Sequence, residues 1–215
     1  MKIEKVGSEA SQKLPTKTKM TELGKLLNKW CTGRGKMKQN TIESLKEAAS
    51  KSSTSALNDS IDIIICSGCH SDISRRFAEA AAAISSDSSI RHALSRCDSR
   101  EASVRESSWN FLTNLLRFLK PPPEPLSEEI CEQVAERGIR DRSFGVRESS
   151  LSCLAKLSPI SQHSAKTLVP SIAIALEDVS KGVRLAALGA VRASAQHPVS
   201  PLAGSVILRT RALDT

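Results

Sequence analysis

The string Val-Arg-Glu-Ser-Ser occurs twice in this chain, at 104–108 and 146–150, and Val183-Arg184 opens a third, weaker copy. The offsets are 42 and 37 residues. Periods of this size belong to architectures in which one small unit recurs and buries its apolar face only against its neighbours. Aligned on the Val, the segments read VRESSWNFLTNL, VRESSLSCLAKL and VRLAALGAVRAS. Large apolar residues recur five and eight positions on: Trp109 and Leu112, Leu151 and Leu154, Leu188 and Val191. A small residue stands four positions on, at Ser108, Ser150 and Ala187. On a helix of 3.6 residues per turn these positions form one broad face, with the small residue where a neighbouring helix comes close. The pattern predicts that Trp109, Leu151 and Leu188 are equivalent buried residues.

Each copy follows an Asp: Asp98, Asp141 and Asp178. The last two precede their Val by five residues, and the first is displaced by one. After each copy comes a Pro-bearing turn, at Pro121-Pro122-Pro123-Glu124-Pro125, Ser158-Pro159 and His197-Pro198. Proline stops a helix by steric clash and a missing donor. Beyond the turns, 127–137, 164–176 and 203–213 carry helical spacing of Ile, Leu, Val and Ala. Weaker helical patterns cover 21–30, 41–50, 55–66, 71–84 and 88–96, with starts at Thr41, Ser71 and Glu101 set 30 residues apart.

The stretch from Leu168-Val169-Pro170 through Ala175-Leu176-Glu177-Asp178 to Val183-Arg184-Leu185-Ala186-Ala187-Leu188 resembles the repeat junction of the HEAT-repeat (armadillo-like helical) superfamily. The resemblance covers residues 98–215 and implies an all-α superhelix of two-helix repeats. It also implies that the Asp and the Arg after the Val form a ladder between neighbouring units. That role falls to Asp141, Arg147, Asp178 and Arg184, with Asp98 and Arg105 as the more divergent pair. An Asp ahead of a helix suits the task, because it accepts from free backbone N–H groups and pairs with Arg. Residues 19–97 read as degenerate repeats, with a helical cap as the alternative. Residues 1–18, rich in Lys and polar residues, read as a basic arm without fixed structure. Arg211-Ala212-Leu213-Asp214-Thr215 lines up with Ala175-Leu176-Glu177-Asp178, where another Val-Arg helix is expected to begin, so the array reads as truncated.

Composition fits thin helical layers. Aromatics are 3% of residues and Tyr is absent, which disfavours a β-sandwich. Residues 1–60 hold 12 Lys and Arg against 6 Asp and Glu, so most of the net +8 lies in the first quarter of the chain. A basic arm of this kind suits nucleic acid, an acidic protein or anionic lipid, and equally a solvated tail. No stretch approaches the ~18 apolar residues of a membrane span, and Met1–Pro15 lacks the apolar core of a signal peptide. The six Cys therefore read as reduced thiols in a cytosolic or nuclear protein.

Chemical motifs are weak. Cys66-Ser-Gly-Cys69-His70 has the form of a c-type haem attachment site, but it lies between two helical patterns and reads as a turn. Zinc needs two further ligands, and Cys31 and Cys97 belong to no second Cys-x-x-Cys pair. The four His residues form no triad motif, and Gly33-Arg-Gly35-Lys36 is not a phosphate loop. Neither a cofactor nor an enzyme is expected. The basic run Lys25, Lys29, Arg34, Lys36 and Lys38 has only Trp30 nearby for base stacking.

The reading is a protein-binding scaffold. Its best contact candidates are Arg140, Arg142 and Lys181 in turns between repeats, and Arg209 and Arg211 on the last helix, since solenoids expose such surfaces. The alternatives are a tubulin-binding array, disfavoured by Pro- and Ser-rich turns with Lys120 the only basic residue beside one, and a nucleic-acid-associated HEAT protein of the condensin or DNA-glycosylase kind.

Overall fold

The computed structural model describes residues 21–32, 39–67, 71–84, 86–119, 124–157 and 161–195. Among them there is no strand. Ten α-helices follow in order: α1 (Glu22–Thr32), α2 (Gln39–Ser50), α3 (Thr54–Cys66), α4 (Ser71–Ile84), α5 (Ser86–Arg96), α6 (Ala102–Phe118), α7 (Glu124–Gln133), α8 (Phe144–Leu154), α9 (Gln162–Leu176) and α10 (Lys181–Ala195). A π-helical turn, Val134–Gly138, extends α7.

The helices form two layers. In one, α1, α3 and α5 pack in succession and α7 packs on α9; in the other, α2, α4, α6, α8 and α10 do so. Between layers, α5 packs on α6, the π turn on α8, and α9 on α10. The units are therefore an odd-numbered helix and the Val-Arg helix after it. The short turns that contain Asp98, Asp141 and Asp178 lie within pairs. This corrects the expectation that Arg140, Arg142 and Lys181 lie between repeats. The physical reason is packing: α5 lies on α6, the π turn on α8 and α9 on α10, whereas the Pro-bearing segments join helices that have no comparable contact. The composition of the Pro-bearing turns consequently says nothing against a tubulin-type array.

Caps and turns follow from local chemistry. Ser53 accepts from the Ala56 N–H at 3.3 Å and starts α3. Ser161 accepts from Ser164 N–H at 3.2 Å and starts α9. Each satisfies one of the free donors of a first turn. Pro170 lies inside α9 and withdraws a donor from its own helix. Beside it, Ser171 Oγ donates to the carbonyl of Ala135 at 3.1 Å and ties α9 to the π turn.

One apolar cluster runs from Leu23 to Ala190. Trp109, Phe111, Leu112 and Leu151 are almost fully enclosed, each such side chain contributing roughly 1.5–3 kcal/mol by leaving water. Phe77 of α4 meets Phe111 of α6 with ring centroids 6.1 Å apart. The small residues Ser108, Ser150 and Ala187 are fully buried. The reason for one of them is plain at Gly138, where an added Cβ would come within 2.5 Å of Ser150 Cβ. There α8 and the π turn touch almost backbone to backbone.

Leu188 departs from the expected equivalence. Trp109 and Leu151 are 1% and 0% exposed, but Leu188 is 55% exposed. Helices α6 and α8 each have a neighbour on both sides within their layer. Helix α10 meets only α8 among the described helices of its layer, and buries Val183, Ala187, Ala190 and Ser194. Leu188 sits about 100° around from Ala187, off that stripe.

Candidate functional site: the turn edge

The three short turns share an Arg clamp on their carbonyls, and two of them also an Arg–Asp grip. Arg105 Nε and Nη2 donate to Asp141 Oδ2 and Oδ1 at 2.6 and 2.9 Å. Arg147 does the same to Asp178 at 2.7 and 2.9 Å. Each Arg also holds its own turn. Nη1 of Arg105 donates to the carbonyls of Ser99 and Arg100, that of Arg147 to those of Asp141 and Arg142, and that of Arg184 to those of Asp178 and Val179. Each carboxylate in turn accepts from a backbone N–H two residues on, at Ser143 and at Ser180, both at 2.8 Å.

Electrostatics follow from this geometry. Burial would raise the Asp141 carboxyl, but the bonds from Arg105 and Ser143 and the charge of Arg147 hold it below its ordinary value. At Asp178 the Arg147 hydrogen bonds dominate, oppose burial, and also leave the carboxyl depressed.

Asp98 stands outside this pattern, a correction to the ladder read from sequence. It pairs with Arg137 of the π turn instead. Ser74 Oγ accepts from Asn114 of α6 at 3.4 Å.

With the Asp141 and Asp178 carboxylates engaged, Arg140, Arg142 and Lys181 are exposed and without an ion-pair partner among the described residues. Arg100, which sequence reasoning passed over, is in the same state and occupies the register of Arg142, four residues before the Val. Two apolar residues share this edge: Phe144 is 63% and Val179 94% exposed. Phe144 opens α8 and Val179 stands in the turn before α10; both fall outside the apolar spacing of the helices, which sets them apart without saying that they are exposed. Arg209 and Arg211 lie outside the described residues, as do 1–18, Lys120, Arg34, Lys36, Lys38, Cys69 and His70. Lys25 of the basic run pairs with Glu22 at 2.7 Å.

A second polar cluster joins α3 to α5. Asp62 Oδ1 lies 3.0 Å from both His92 Nε2 and Arg96 Nε, and Arg96 Nη2 donates to Cys66 Sγ at 3.5 Å. Sequence spacing put Asp62 with Cys66 and His92 with Arg96, four apart on their helices, but gave no sign that the two faces meet. Cys66, Cys97, Cys131 and Cys153 are free thiols, whereas Cys31 is disulfide-bonded, against the expectation of six reduced thiols. Burial pushes the Cys131 and Cys153 thiols up to about 12. No group of three or more His, Cys, Asp or Glu suited to a metal occurs among the described residues, and no described helix is long and apolar enough to cross a membrane.

No protein-family model matches this chain, and no curated protein does so. Solved structures do match in shape. One is a computationally designed armadillo repeat protein for modular peptide recognition, at TM-score 0.50 and 15% identity, covering 80% of this chain and 73% of that one. An engineered protein aligns at TM-score 0.44 and 15% identity over 82% and 80%. A designed armadillo repeat protein in complex with a (KR)4 peptide aligns at 0.42 and 13% over 80% and 81%. The fold is a helical-repeat solenoid of the HEAT and armadillo kind.

Proposed function

We propose that this chain is a non-enzymatic scaffold that binds other proteins. The observation that carries the reading is the two-layer stack, which presents its turns and one layer of helices as continuous surfaces along its length. Most chemically suggestive groups are occupied in joints between helices: Asp141 and Asp178 with Arg residues, and His92 with Asp62. The likeness to an armadillo design made for peptide recognition supports the same reading. The free thiols at Cys66, Cys97, Cys131 and Cys153 accord with a cytosolic or nuclear setting, and the disulfide at Cys31 runs against it.

The test is affinity capture with the full chain, followed by calorimetry with the purified candidate. Stoichiometric binding to the folded chain is expected. A chain that binds no protein yet turns over a small substrate would end the scaffold reading.

A further inference from the structure

We infer that the turn edge of α5–α6, α7–α8 and α9–α10 is the docking surface, and that its occupant is an extended acidic segment of a partner protein carrying apolar side chains. The inference rests on the scaffold reading and assigns its site and the chemistry of the partner.

The first argument is charge. In this edge Asp141 and Asp178 are neutralised internally by Arg105 and Arg147, and Asp98 by Arg137. The middle turn then carries Arg140 and Arg142 with no exposed acid between them, flanked by Arg100 on one side and Lys181 on the other. A guanidinium that is already paired adds little to a ligand, but these four cations are unpaired among the described residues.

The second argument is shape. Arg100 and Arg142 hold the same register position on neighbouring pairs, so they repeat with the helix spacing of the layer, ~8–10 Å. An extended chain in the polyproline II form advances ~3.1 Å per residue and turns once every three residues, so side chains three apart lie on one face. Acidic residues three apart on an extended segment therefore match successive turns. The turns are held rigid by the Nη1 bonds of Arg105, Arg147 and Arg184 to their carbonyls, so little conformational freedom is lost on binding.

The third argument selects protein over nucleic acid. Phe144 and Val179 stand exposed among the cations, and water-exposed apolar residues beside charges are what a protein contact covers. Glu101, Glu136 and Glu177 are exposed near the same turns. They would repel a continuous phosphate backbone, whereas a peptide places its charges singly.

The experiment uses the full chain and a fluorescein-labelled peptide of Glu-Leu-Ser repeated four times, followed by fluorescence anisotropy. Saturable binding is expected, weakened by added salt. Arg140→Glu with Arg142→Glu should weaken it about tenfold, the order expected when two partly exposed charge contacts turn repulsive. Phe144→Ala should weaken it at any salt concentration. Both variants must keep the parent melting curve, and Lys156→Glu, a charge reversal in the turn after α8, should leave binding unchanged. No binding, equal binding to the double variant, or tighter binding of a 12-nucleotide single strand that displaces the peptide would overturn the inference. If a captured partner binds the double variant as well as the parent, the scaffold reading survives and this site assignment does not.

Discussion

Arg147 Nε and Nη2 grip both carboxylate oxygens of Asp178, 31 residues further along the chain, at 2.7 and 2.9 Å. The side chains are 14% and 12% exposed, so water does little to replace either partner. Arg147→Ala should cost ~2–4 kcal/mol, because a nearly buried carboxylate loses its counter-ion. Arg147→Lys should recover only part of this, since an ammonium cannot form the paired bonds. Denaturant melts check both. If Arg147→Ala instead abolishes partner binding at unchanged stability, Arg147 is a contact residue.

The same pairs make stability depend on pH. Asp141 and Asp178 are held below their ordinary values in the folded chain. The stabilisation is therefore complete above the unfolded carboxylate value, about 3.9, and is lost as pH falls through the lower folded value. Melts from pH 7 down to pH 2.5 should show the loss beginning at about pH 4. The slope should be shallower in Arg147→Ala, where Asp178 has lost its main partner. Equal slopes would mean that these carboxylates do not govern acid unfolding.

Positions that share a register do not share a cost. Leu151→Ala empties a fully enclosed site and should cost ~2–5 kcal/mol. Leu188→Ala, at 55% exposure, should stay within ~1 kcal/mol. Comparable losses at the two sites would show that Leu188 is covered in solution.

Two glycines should answer differently to alanine. At Gly138 the new methyl meets Ser150 Cβ at 2.5 Å, an atom that moves only with its backbone, so Gly138→Ala should destabilise by ~1–3 kcal/mol. At Gly145 it meets the end of the Glu106 side chain, which swings aside, and a helical Ala offsets the loss. Gly145→Ala should be within ~1 kcal/mol of neutral. The reverse order in thermal melts would mean the π turn does not lie tight against α8.

Alkylation of the native chain at pH 8 should mark Cys66 rapidly and leave Cys97, Cys131 and Cys153 unlabelled until denaturant is added. Cys66 is exposed and the others are buried, with Cys131 and Cys153 raised to about 12 by burial. The thiolate is the reacting form. Fast labelling of Cys153 by mass spectrometry would show the α6–α8 joint opening on its own.

Much of the fold was legible because helical spacing is a local property. The apolar pattern over 71–84 coincides with α4, and those over 55–66 and 164–176 fall within two residues of α3 and α9. The unequal offsets also have a simple origin: α6 has 17 residues and α8 has 11. What stayed hidden depends on neighbours. The exposure of Leu188 is set by how many helices flank α10. Asp98 pairs with Arg137 of the π turn, outside the register that Asp141 and Asp178 share. The meeting of Asp62 with His92 and the unpaired state of Arg100 appear only when the layers are assembled. The candidate edge was half visible, as Arg140, Arg142 and Lys181, while Phe144 and Val179 gained meaning only from their exposure.

Substantial packing in this stack connects each pair only to itself and to the pairs beside it, and the Arg–Asp grips follow the same rule. Mechanically, the chain is a row of clasps in series. A load applied to its ends is borne in full by every clasp, so the weakest one sets the strength of the whole. The joint between α4 and α6 lacks the bidentate grip found between α6 and α8 and between α8 and α10. The joint between α2 and α4 lacks it too among the described residues, holding the Lys46–Glu79 contact instead. Under tension the stack should therefore part on one side of α4 first, while the three pairs bearing the turn edge stay docked.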